Sequence, residues 1–123
     1  MTEGSRLKRV VFLCLTLWAT QALAAPDESA RTEIERLLTR LETSGCQFFR
    51  NDSWYDAPRA RAHLEKKYQW LLKKDLVSSA EQFIERAATR SSRSNEAYLV
   101  RCAGDEALPS AAWLKRELVR IRQ

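Results

Sequence analysis

Histidine is almost missing from this chain of 123 residues: His63 stands alone, and cysteine occurs three times. A metal centre needs three or four nitrogen, sulfur or carboxylate ligands at defined spacing. No such set can be assembled from the motifs, so no metal is expected. No cofactor motif occurs, and no cofactor is expected. There is neither a nucleophile elbow nor a preset oxyanion motif. Internal repeats and low-complexity segments are absent. The most apolar run, from Val10 to about Ala19, is interrupted by Thr16, Thr20 and Gln21 and falls short of the roughly 20 apolar residues a bilayer span requires.

That run has a different meaning in context. Arg6, Lys8 and Arg9 form a basic segment ahead of it, and Ala22-Leu23-Ala24 supplies small residues behind it. This is the three-part layout of a cleavable signal peptide. Residues 1–24 are therefore expected to be removed, leaving one domain over 25–123 in the periplasm. Cys14 does not follow the small residues that a lipoprotein signal uses, so no lipid or stable membrane anchor is expected after cleavage. Removal takes away three basic residues and one acidic residue, lowering the formal net charge from +5 to +3. Basic residues are spread through the chain without forming a stripe, which argues against a nucleic-acid partner.

Two cysteines remain, Cys46 and Cys102. In an oxidising compartment they have one intramolecular pairing open to them. The loop so closed has roughly 57 residues, and chain entropy gives such a bridge on the order of 4 kcal/mol.

Ile34, Leu37, Leu38 and Leu41 recur at helical spacing, with Asp27 or Ser29 as cap and Gly45 just past the end. A second helix is expected after Asp56-Ala57-Pro58, with Ala60, Leu64, Tyr68, Leu71 and Leu72 on its apolar face and Trp70 off it. Ser78 and Glu81 form a capping box for a third helix that buries Phe83 and Ile84. A fourth begins at Pro109-Ser110 and carries Trp113, Leu114, Leu118 and Ile121. Between helices, "CQFFR" and "AYLVRCA" read as short strands, and "RNDS" as a turn. The expected fold is mainly α: about four helices with a short two-stranded β-ribbon clamped by a Cys46–Cys102 disulfide. Phe48 and Trp54 are expected to plug the space between helices one, two and four.

The segments "SGCQFFRNDSWYDAPRARAHLEKKY", "AEQFIERAATRSSRSNEAYLVRC" and "AAWLKREL" resemble the YfeK-like family of small bacterial envelope proteins, a domain of unknown function. The resemblance rests on Cys46, Arg50, Asn51, Trp54 and Tyr55, then His63, Leu64, Lys67 and Tyr68. It continues through Ser91, Ser92, Ser94, Tyr98, Arg101 and Cys102 to Trp113 and Leu114. Asp52 replaces the usual glycine, and Asn95 takes a Ser-Gly position; both residue types tolerate left-handed backbone. The resemblance implies an envelope location and a fold, and brings no activity. Its bacterial context also discounts Asn51-Asp52-Ser53 as a glycosylation acceptor.

Two site hypotheses follow. Arg59, His63 and Lys67 lie four residues apart on one helix face, and cations beside His63 favour the neutral imidazole, a usable base. With Ser92 or Ser94 as nucleophile this would be a small hydrolase or transferase. Against it stands a plain packing role, with His63 donating to a backbone carbonyl. The serine loop "SSRSNE" offers donors for a phosphate or glycan, but a solvated connection explains it as well. Pairing of the two strands is expected to gather Arg50, Arg101, Asn51 and Tyr98, either as a carboxylate pocket or as arginines neutralised by Asp52, Asp56 or Glu96. The favoured function is a non-catalytic binding or interaction module for an envelope protein or glycan, using Arg50, Asn51, Trp54, Tyr55, His63, Tyr98 and Arg101.

Overall fold

A computed structural model describes residues 25–123; the signal peptide expected over residues 1–24 lies outside the described residues. Helix α1 (Glu28–Glu42) is capped by Asp27, whose Oδ1 accepts from the Ala30 N–H at 2.8 Å. Ile34, Leu37, Leu38 and Leu41 are all buried to within 1% exposure, so the period-3.6 stripe is the core seam. Gly45 follows with φ +69°. Helix α2 (Ala57–Lys73) starts on Asp56, whose Oδ1 accepts from the Arg59 N–H at 3.0 Å, with Pro58 in the first turn. Helix α3 (Ala80–Ala87) is capped one residue later than the sequence suggests. Ser79 Oγ accepts from the Gln82 N–H, and Gln82 Oε1 reaches back to the Ser78 N–H. The capping box thus uses Gln82 instead of Glu81. Helix α4 (Ser110–Ile121) completes the set, and α1 packs against each of the other three.

The expectation of a mainly α, two-stranded fold is overturned. Four strands, β1 (Gln47–Arg50), β2 (Ser53–Asp56), β3 (Leu99–Arg101) and β4 (Leu108–Pro109), form one antiparallel sheet in the order β2-β1-β3-β4, making an α+β fold. The β1–β3 pair was legible. Strand β2 was hidden because its four residues run directly into the cap of α2, and β4 is only two residues long. Asn51 (φ 47°) and Asp52 (φ 66°) make the two-residue link between β1 and β2, the geometry of a tight hairpin with both central residues left-handed. The disulfide joins Cys46, just before β1, to Cys102, just after β3. It closes the ladder beyond the Gln47–Arg101 pair.

Period-two alternation then sorts the side chains. Phe48, Tyr55 and Val100 occupy mutually paired positions on the helix-facing side. Phe48 is buried there, edge-on to Trp113 of α4 with ring centroids 6.0 Å apart, so this residue is the expected plug. Trp54 is not. It pairs with Phe49 on the opposite face, rings 5.2 Å apart, and is only half-buried.

Candidate functional site

The alternation also separates the two arginines that the sequence placed together. Arg101 pairs with Gln47 and shares the outer face: its guanidinium lies 4.1 Å from the centre of the Trp54 ring and Nη2 donates to Gln47 Oε1 at 2.7 Å. Arg50 is three residues beyond Gln47, so it points the other way, toward α2. The expected Arg50–Arg101 pocket does not form. Nor does the charge-locking alternative, because among the described residues neither arginine forms an ion pair with Asp52, Asp56 or Glu96.

Arg50 instead meets His63. Its Nη1 lies 2.7 Å from Nδ1 of the imidazole and 3.4 Å from Nε2, and its guanidinium is steadied over the Tyr55 ring at 4.8 Å. On the other side, His63 Nε2 lies 3.0 Å from the Tyr98 hydroxyl, which also accepts from Lys67 Nζ at 3.1 Å. Lys67 donates a second proton to the Arg90 carbonyl at 3.0 Å. Tyr98 itself is fixed by its backbone: its N–H donates to the Thr89 carbonyl at 3.0 Å, and its carbonyl accepts from the Ser110 N–H at 2.8 Å. One helix face, one hairpin strand and the residue before β3 therefore converge on a single imidazole.

The hydrogen-bond logic settles the tautomer. Arginine only donates, so Nδ1 accepts and the proton sits on Nε2, which donates to Tyr98. The ring is neutral, and its pKa is lowered to about 4, chiefly by burial and then by Arg50, Lys67 and Lys66. The sequence had Lys67 right but named Arg59 as the other neighbour; Arg50, arriving across the hairpin, is the stronger. Burial and Arg50 together lower Lys67 to about 8, and burial raises Tyr98.

Arg50, His63 and Tyr98 line a cleft of about 30 Å³ together with Phe48, Leu64 and Arg59, and Lys67 lies outside it. A space that small suits one polar group, not a ring. The remaining candidates fall outside it. Asn51 Oδ1 accepts from Ser94 Oγ at 2.8 Å, tying the hairpin tip to the serine loop. Ser91 is buried and accepts from the Arg93 and Ser94 N–H groups. Among the described residues His63 bonds to neither Ser92 nor Ser94, and both of its nitrogens are engaged elsewhere, so no serine–histidine pair exists. The packing role fares no better in its details, since His63 donates to a hydroxyl and not to a backbone carbonyl. Among the described residues no three His, Cys, Asp or Glu side chains converge as a metal set, and no helix is long and apolar enough to cross a membrane.

The model of a family of unknown function, DUF5329, matches residues 28–122, which span every element of the fold. No curated protein and no solved structure gives a significant match.

Proposed function

We propose that this chain, which belongs to the DUF5329 family of unknown function, is a small non-catalytic binding module whose Arg50–His63–Lys67–Tyr98 cluster receives an anionic group. The observation that carries the reading is the surplus of donors. Arg50 uses one of its five N–H groups on His63. Lys67 uses two of three. The Tyr98 oxygen accepts from both neighbours and keeps its own proton to give. Among the described residues no carboxylate pairs with either cation. Half-buried cations with spare donors are stabilised by a charge-assisted bond to a carboxylate or phosphate oxygen, and a carboxylate-sized cleft lies against Arg50, His63 and Tyr98.

The resemblance to the YfeK-like family and the signal-like residues 1–24 support placing this module in the bacterial periplasm, where a carboxylate on an envelope protein or glycan is the partner. The mature chain is expected to begin at Ala25.

Acetate and inorganic phosphate, titrated separately into the labelled mature protein, test the site. The His63 ring resonances are expected to move with saturation in the millimolar range, and Arg50→Gln is expected to weaken binding by about tenfold or more. Resonances unmoved by either anion at tens of millimolar, in a folded protein, would overturn the reading.

A further inference from the structure

His63 stands between the small cleft and a second groove of about 360 Å³, lined also by Lys66, Lys67, Trp70, Leu71, Arg86 and Ser92. Its volume is that of an ordinary small-ligand site, as are those of other surface grooves, and two further features set it apart. Its charged lining is entirely cationic, so it complements a polyanion. And Trp70, which lies off the buried stripe of α2, is 54% exposed, presenting an indole where a helix normally presents a polar side chain. Arg86 is held in the wall by a hydrogen bond to the Leu76 carbonyl.

We propose that this groove and the adjoining cleft together bind an acidic glycan, with a pyranose ring stacked on Trp70 and carboxylates on Lys66, Lys67 and Arg50. The proposal rests on the anion-binding reading and extends it to a ligand class. The C–H face of a sugar is electropositive and lies well on the electron-rich face of indole. Its carboxylates meet the flanking cations, and one of them fits the cleft that is too small for the ring itself. An anionic bilayer explains the groove less well. Among the described residues the exposed large hydrophobics are Trp70 and Val119, and Val119 is on α4, outside the groove, so no apolar patch exists to enter lipid. An acidic peptide would use the cations but give no role to a lone indole.

The mature, disulfide-bonded protein is titrated calorimetrically with oligogalacturonate, its carboxyl-reduced neutral counterpart, monomeric galacturonate, hexaglutamate and vesicles of anionic phospholipid. Oligogalacturonate is expected to bind about tenfold more tightly than the monomer, an increment of the size aromatic stacking supplies. Trp70→Ala is expected to weaken oligomer binding about tenfold, while Arg50→Gln weakens both oligomer and monomer. Equal binding of the neutral oligomer, an unchanged affinity in Trp70→Ala, or tighter binding of hexaglutamate or vesicles each overturns the proposal. Failure of the underlying anion site has its own signature: monomeric galacturonate and acetate then leave His63 unmoved even with Trp70 intact.

Discussion

Nη1 of Arg50 lies 2.7 Å from Nδ1 of His63, so a permanently charged donor holds an imidazole in its neutral form. Thirteen residues separate the two in the chain. What unites them is the hairpin, which folds β1 back alongside the first turns of α2. The pair inverts a common arrangement in which a carboxylate raises the basicity of histidine. Here the neighbour removes it, and the site gains its positive charge from Arg50 and Lys67 alone.

A stability profile follows from that pair. His63 is lowered from an ordinary 6.5 to about 4 in the folded chain, so between these values the unfolded state binds a proton that the folded state refuses. The His63 contribution is therefore complete above about pH 6.5 and is lost as the pH drops toward 4, by about 1–2 kcal/mol once the solvent contact of the ring is discounted. The unfolding midpoint in urea, compared between wild type and His63→Gln across this range, should show the wild type losing more. Glu33 and Glu81, both lowered by Arg122, lose stability at lower pH in both proteins and cancel in the comparison. Identical pH profiles would remove the neutral imidazole from the account.

The two aromatic faces of the sheet predict unequal costs. Phe48→Ala empties a buried position against Trp113 and should cost about 3–5 kcal/mol. Trp54→Ala removes a larger side chain but one that is half-exposed beside Phe49 and Arg101, and about 1–2 kcal/mol is expected. Urea denaturation of both variants decides this, and a Trp54 loss equal to that of Phe48 would contradict the face assignment.

At the hairpin tip, Asp52 holds a positive φ of 66° that glycine adopts without a Cβ penalty. Asp52→Gly should raise stability by roughly 0.5 kcal/mol, the gain at the left-handed site less the entropy that glycine adds to the unfolded chain. Thermal melting measures it, and a drop in midpoint would mean that the Asp52 side chain contributes more than its backbone strain costs.

For the Cys46–Cys102 bridge, the intact mass of the mature protein should rise by two hydrogens on reduction. Replacing both residues by serine should lower stability by about 4 kcal/mol, given the length of the closed loop. Thiols that titrate fully in the unreduced protein would rule the bridge out.

The helices were legible because their signals are local. The Ile34–Leu41 stripe, the Asp27 cap and the Asp56-Ala57-Pro58 start are each contained within a turn or two of chain. The disulfide was legible by counting. The sheet was only half so, because β2 offers four residues of which the last is already a helix cap. The site was partly readable for the same reason. Arg59, His63 and Lys67 share a helix face by spacing alone, and two of them do reach the cluster. Pairing Arg50 with His63 instead of Arg101 required knowing which face of β1 each side chain takes. Neighbouring strands convey no parity until their register is set. The Trp70 groove carried a sequence signal, an indole off the apolar stripe among lysines, but nothing in the spacing says that a concavity lies beside it.

The register of β1 has a consequence for how the protein can vary. Substitutions in this strand alter one contact at a time, but a single-residue insertion or deletion between Cys46 and the Asn51-Asp52 turn would turn the strand over as a whole. Arg50 would then leave His63 for solvent, and Phe48 would exchange its place in the core for one beside Trp54. Length, more than composition, is what this short stretch has to preserve.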